Sequence, residues 1–205
     1  MPEISNSFKQ LLLVLQQFDV EYVLDGGLAC IFHGSTAQTL DIDIVPKRNI
    51  ENLNKLASAM KSINSKLRGK NLENVEIPIS GALLNNIGIG TWTTDLGDLD
   101  VIDGIPAGEG KTNYGYEKLK EANLKIPYGE NAIFIASLED VVWSKRAADR
   151  PKDHKTLPEL EELESMEDYE VDEFFESYED KGLIRIPTSE MQDHFLAALE
   201  HDIEL

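Results

Sequence analysis

Two aspartates separated by a single residue stand in the run Asp41-Ile42-Asp43-Ile44. In a strand, alternate side chains share a face, so Asp41 and Asp43 project together about 7 Å apart while Ile42 and Ile44 enter the core. Two carboxylates held this way can share a divalent cation. Separated from Asp41 by thirteen residues lies Gly26-Gly27, between an apolar strand, Tyr22-Val23-Leu24, and a short apolar helix from Leu28 to His33. A glycine pair there lets backbone approach a ligand with no Cβ in the way, and the N–H groups at the helix start favour phosphate. Alone, a Gly-Gly pair is more often only a turn and an alternating acidic strand only a solvated edge. Together they describe one site, half cradling phosphate and half holding its cation.

The elements that must position these residues are legible from periodicity. Phe8, Leu11, Leu12, Leu15 and Phe18 recur at helical spacing, so residues 5–18 form an amphipathic helix covering the sheet. Asn49 caps a second helix, whose apolar positions Ile50, Leu53, Leu56, Ala57, Met60, Ile63 and Leu67 keep one period. Residues 69–85 read mostly as loop. Strands follow at Ile87 to Thr94 and Leu99 to Ile102, joined as a hairpin through Asp95-Leu96-Gly97. On the second strand Asp98 and Asp100 face one way and Leu99 and Val101 the other, so a carboxylate there can complete a metal site. After a glycine-rich loop at 106–115 come a short helix from Tyr114 to Ala122 and strands at 124–127 and 132–136. Ser137 caps a helix from Leu138 to Ala148, Pro151 marks its end, and Thr156 caps another to about Glu164. Lys145, Arg146, Arg150, Lys152 and Asp153 cluster at this junction; beside a triphosphate the cations are candidate phosphate contacts.

Composition narrows the possibilities. The 205 residues suffice for one domain with a real core, or a domain with an appendage. No apolar run approaches the roughly 20 residues that span a bilayer, and no secretory leader pattern is present, so the expected location is cytoplasmic. The single cysteine, Cys30, lies in an apolar helical run and is a small core residue, which excludes disulfide and cysteine-rich metal sites. Of the net charge of −19, residues 156–205 carry −15, with 17 acidic and 2 basic side chains. Residues 47–70 reverse the sign, with Lys47, Arg48, Lys55, Lys61, Lys66, Arg68 and Lys70 against Glu51. Their simplest reading is a solvated face; the sharper one is contact with a nucleic-acid acceptor, through Lys55, Lys61 and Lys66 pointing outward from the helix. Beyond Met166, stripes of Val171, Phe174, Phe175 and Tyr178, then Met191, Phe195, Leu196 and Leu199, predict two acidic amphipathic helices. The chain therefore divides into a domain at 1–165 and an acidic helical appendage at 166–205, docked on the domain.

Gly26-Gly27, a thirteen-residue gap and Asp41-Ile42-Asp43-Ile44 resemble the signature of the DNA polymerase β-like nucleotidyltransferase superfamily. Within it the chain looks most similar to the abortive-infection (AbiEii-like) toxin nucleotidyltransferases and their small relatives, over roughly residues 8–164. Gly97-Asp98-Leu99-Asp100-Val101-Ile102 resembles the family's third-carboxylate strand, and residues 137–153 its lysine-bearing helix and following turn. Two departures stand out: Ala37 and Gln38 replace an arginine usual before the acidic pair, and an acid, Asp25, directly precedes Gly26.

The resemblance implies an α/β (α+β) nucleotidyltransferase fold, a mixed twisted sheet flanked by helices. It implies transfer of a nucleoside monophosphate from a nucleoside triphosphate to an acceptor hydroxyl with release of pyrophosphate. Asp41, Asp43 and Asp100 would hold two Mg²⁺ ions, or Mn²⁺, with Asp100 helping to deprotonate the acceptor. Gly26, Gly27 and Lys145 would hold the nucleotide's phosphates. A tRNA end, a protein or a small molecule would all serve as acceptor, and a toxin-like role would bring an antitoxin or other protein partner. The alternative of another class is a non-catalytic interaction module of the same fold whose acidic tail binds a basic partner. Against it stands the acidic pair itself, since adjacent carboxylates repel unless a cation is to be held.

Overall fold

The structure is a computed structural model that describes residues 6–69, 77–106, 113–121, 123–128 and 131–165. Helix α1 (Asn6–Gln17) leads into strand β1 (Tyr22–Asp25), helix α2 (Gly26–Phe32) and strand β2 (Asp41–Pro46). Helix α3 (Ile50–Ser62), strand β3 (Lys66–Leu67) and helix α4 (Gly81–Asn86) precede the hairpin β4 (Ile89–Thr94) and β5 (Gly97–Ile102). The two-residue strands β6 (Ile105–Pro106) and β7 (Asn113–Tyr114) pair with each other, ahead of helix α5 (Tyr116–Leu119). Strands β8 (Asn123–Tyr128) and β9 (Asn131–Ala136) and helices α6 (Leu138–Ala148) and α7 (Pro151–Ser165) follow. The expected helices and docking of the acidic appendage lie outside the described residues.

The sheet has seven strands in the order β3-β4-β5-β2-β1-β9-β8, with β2 at its centre. Strands β1 and β9, and β2 and β5, run parallel; the other neighbours are antiparallel. This is the mixed α/β sheet flanked by helices that the sequence implies. One face of the central strands is apolar, because Ile42, Ile44, Leu99, Val101 and Trp92 are all buried. Leu11, Leu12 and Leu15 of α1 and Leu53, Leu56 and Met60 of α3 join them in a single core. On the other face of β2 the alternation leaves Asp41 and Asp43 partly exposed. Helix α2 packs on β1, β2 and β9 and against α6, which in turn packs on α7. Cys30 is fully buried in α2, its thiol donating to the Gly26 carbonyl at 3.1 Å, and burial pushes that thiol up to about 12.

Four expectations need correction. Helix α3 stops at Ser62 instead of running on to Leu67, because Asn64 takes a left-handed turn with φ 52° and Ser65 N–H closes onto the Met60 carbonyl. Lys66 and Leu67 then form β3 on the sheet edge. The stretch read as loop ends in α4, whose N-cap Ser80 accepts from the Leu83 N–H at 3.1 Å. α6 ends at Ala148, before Pro151, as expected, but Pro151 also begins α7, its missing N–H costing nothing in a first turn. Thr156 is thus interior and not a cap, and its hydroxyl bonds back to the Lys152 carbonyl at 3.2 Å.

Candidate active site

Register builds the site across the centre of the sheet. Asp25 pairs with Asp43 across β1 and β2, Asp43 with Asp100 across β2 and β5, and Asp100 with Thr91 across β5 and β4. Directly paired residues share a face, so Asp25, Asp43, Asp100 and Thr91 form one transverse row. Asp41, Asp98 and Thr93 form the next. The three carboxylates singled out in the sequence therefore stand side by side on one surface, two strands wide. Gly26 is essential to this packing. It has φ +69°, and a Cβ there would lie 1.9 Å from Asp43 Oδ2, so only glycine leaves room for the carboxylate. A Cβ on Gly27 would meet Thr39 Oγ1 at 2.4 Å. The glycine pair is thus a floor under Asp43 and Thr39, and Thr39 in turn donates to Asp41 Oδ1 at 2.9 Å.

Such crowding is electrostatically costly. Burial pushes the Asp43 carboxyl up to about 7, the negative charges of Asp25, Asp41 and Asp100 push the same way, and Lys152 opposes them. Asp25 is 3 % exposed, and burial raises it to about 6 against the Gly26 N–H, Lys145 and a hydrogen bond from Ser144. Its Oδ1 is buried without a hydrogen-bond partner. Asp100 is also raised, by burial first, although Arg68 opposes this.

Cations come from the α6–α7 junction and from just beyond β3. Asp153, fully buried on α7, is the hub of the junction: it accepts from Lys145 Nζ at 3.4 Å, Arg150 Nε at 2.6 Å and Arg150 Nη2 at 3.2 Å. Burial would raise the Asp153 carboxyl, but Arg150 and Lys145 outweigh it and hold the group below its ordinary range. Lys145 is itself buried, lying next to Asp25 and Asp153 instead of reaching out to solvent. Arg150 and Lys152 are the cations whose fields reach the acidic pair, since Asp41 and Asp43 raise Arg150 and Lys152 lowers Asp43.

The basic stretch at 47–70 does not form one outward face. Lys47 pairs with Glu21 and Lys55 with Asp19, while Arg48 donates to the Leu84, Asn85 and Ile87 carbonyls at the end of α4. Lys66 sits on β3 and not on α3. Arg68 turns inward to the site, donating to Asp98 and, at 3.0 Å, to Asp100 Oδ1. The sequence hides Arg68 because the helical period runs on to Leu67. It hides Glu159 as well, which accepts from Ser35 Oγ at 2.8 Å and from Thr36 N and Oγ1 at 3.1 and 3.0 Å, tying the loop before Asp41 to α7. No local pattern announces a partner that distant along the chain.

The donor set suits a hard divalent cation, being all carboxylate oxygen. Like charges packed around Asp43, with Asp25 Oδ1 unsatisfied beside them, leave a negative centre that such a cation would relieve. Among the described residues no three His, Cys, Asp or Glu side chains already converge as a ligand set. Individual carboxylates have their own neighbours instead: Asp41 the Thr39 hydroxyl, Asp100 the Arg68 guanidinium.

No protein-family model matches the sequence, and no curated protein matches it either. Solved structures do resemble the fold. The lincosamide antibiotic adenylyltransferase LnuA, with lincomycin bound, superposes with a TM-score of 0.52 at 17 % identity, covering 78 % of this chain and 97 % of that one. ANT(2")-Ia in complex with adenylyl-2"-tobramycin gives 0.46 at 14 % identity, covering 95 % of each chain. The likeness to LnuA shows a shared nucleotidyltransferase fold.

Proposed function

We propose that the chain is a nucleotidyltransferase, moving a nucleoside monophosphate from a nucleoside triphosphate to an acceptor hydroxyl. The observation that carries this reading is the carboxylate row on adjacent strands, with Gly26 clearing space for Asp43. Asp41, Asp43 and Asp100 would hold Mg²⁺, two ions by resemblance, with Mn²⁺ able to replace it. When bound, the metal supplies charge neutralisation and in-line alignment at the α-phosphorus. The chain's own groups do the rest. Gly27 would offer its backbone N–H at the start of α2 to phosphate oxygens, while Gly26, its own N–H turned to Asp25, would let the phosphates approach without a Cβ. Arg150 and Lys152 neutralise the triphosphate, while Lys145 contributes from below by fixing Asp153, which fixes Arg150. Asp100, whose carboxyl burial raises against Arg68, would accept the acceptor's hydroxyl proton. The acceptor oxygen bonds to the α-phosphorus as the bond to the β-phosphoryl oxygen breaks, and pyrophosphate leaves with that electron pair.

A small-molecule or protein hydroxyl suits the acceptor side better than a long nucleic acid, because Lys47, Arg48, Lys55 and Arg68 are occupied within the chain. A tRNA end needs only a short contact and stays within the reading, as does a toxin-like enzyme with an antitoxin partner. The test is to incubate the full chain with Mg²⁺, α-labelled nucleoside triphosphates and fractionated cell extract. Label is expected in one acceptor fraction, with pyrophosphate released, and neither with Asp43→Asn. Label transfer unchanged by that substitution would refute the site.

A further inference from the structure

Among the described residues, Arg68 is the cation placed directly on Asp100. Its backbone is locked to β4, N–H donating to the Thr91 carbonyl at 2.7 Å and carbonyl accepting from Thr91 Oγ1 at 3.0 Å. Its side chain then crosses β4 to reach β5, where its two terminal nitrogens divide between Asp98 and Asp100. The first row is therefore Arg68, Thr91, Asp100, Asp43 and Asp25, and the second Lys66, Thr93, Asp98 and Asp41. Charge changes sign along both rows, from the β3 edge to the sheet centre. Arg150, the guanidinium whose field reaches Asp41 and Asp43, is anchored on Asp153 through Nε and Nη2 and makes no ion pair with Asp100 among the described residues.

We propose that Arg68 is a positioning residue that acts as a displaceable counter-ion for Asp100, guarding the acceptor side of the site. In the free protein it neutralises Asp100, so the cation position that depends on Asp100 fills only when Arg68 retires onto Asp98. The fork geometry permits this, because one arm can let go while the other stays bound. Divalent cation then loads first where it needs only Asp41 and Asp43, and second where it needs Asp100. The inference rests on the nucleotidyltransferase reading, since it presumes that the carboxylates bind divalent cations.

The test is a titration of the metal-free full chain with Mn²⁺, following free Mn²⁺ by electron paramagnetic resonance, so no turnover is needed. The parent chain is expected to bind one Mn²⁺ tightly and a second more weakly. Arg68→Ala should strengthen the second site by about fivefold, the loss of one charge-assisted contact, and leave the first within about twofold. Arg68→Gln, which keeps most of the side chain packed over β4, should do the same and covers the case in which alanine misfolds. Lys66→Ala removes an equal charge from the neighbouring strand β3 and should shift both sites by less than about twofold. A second site unchanged in both folded Arg68 variants, or strengthened as much by Lys66→Ala, overturns the counter-ion role and leaves the enzyme reading standing. No Mn²⁺ binding by any of the proteins overturns both.

Discussion

Replacing Asp43 by asparagine in metal-free buffer should stabilise the protein, by an amount that grows as pH rises from about 4 and is complete above about 7. The Asp43 carboxyl stands at about 7 in the fold against 3.8 in a free chain. At about 1.36 kcal/mol per unit, its ionised form costs the native state on the order of 4 kcal/mol. The sign follows from the direction: a raised carboxyl leaves stability intact below about pH 4 and removes it as pH rises through about 7. The amide of Asp43→Asn keeps the shape and forfeits the charge, and it relieves Asp25, which shares the titration across β1 and β2. After a discount for imperfect amide hydrogen bonding, a gain of ~2–4 kcal/mol is expected at about pH 8 and almost none at about pH 4. For a chain of this size that is on the order of 10 °C in melting temperature. The assay is urea unfolding in EDTA at both pH values. A loss of about 3–5 kcal/mol at the higher pH would refute the reasoning, because it would mean that Asp43 is one half of a structural ion pair.

Gly26→Ala should abolish nucleotide and metal binding and cost several kcal/mol, since its Cβ would lie 1.9 Å from Asp43 Oδ2 at φ +69°; binding calorimetry and circular dichroism together check this. Asp153→Asn leaves Lys145 buried without its carboxylate and should cost about 3–5 kcal/mol in urea unfolding. Because Asp153 is held below its ordinary range, its stabilisation is present at neutral pH and lost as pH falls through that lowered value, and the variant should erase this acid-side slope. Ending the chain after Ser165 should lower the melting temperature or solubility, because the apolar stripes beyond Met166 are too regular for a solvated tail; an unchanged melting curve and monodisperse behaviour would contradict docking.

The central strands are legible in the sequence because their burial is asymmetric. Asp41-Ile42-Asp43-Ile44 and Asp98 to Val101 alternate strictly, and a pattern of period two fixes which face each residue takes. Punctuation is where sequence reasoning fails. Ile63 and Leu67 continue the helical spacing of α3, although Asn64, a residue that tolerates the left-handed turn, marks the stop. Pro151 reads as a break because a proline ends a helix as readily as it begins one, and Asp149, left-handed at φ 48°, is what separates α6 from α7. At the site, alternation and resemblance suffice to place Asp41, Asp43 and Asp100 together. Their neighbours are another matter. Arg68 reaches Asp100 only through two strand pairings, and Glu159 meets Thr36 only because α7 packs back on α6. The Gly-Gly pair, read as a phosphate cradle, is also the space that Asp43 and Thr39 fill, a packing role visible only once β1 and β2 are in register.

The central claim is that the carboxylate row is a divalent metal and triphosphate site, and a thermal melt of the full chain tests it directly. With millimolar Mg²⁺ and a nucleoside triphosphate together, the melting temperature of the parent chain should rise by several degrees, more than with either alone, as expected for a ligand that binds only the native state. Asp43→Asn should show no such rise. No shift in the parent chain at millimolar concentrations, or an equal shift in Asp43→Asn, would contradict the account.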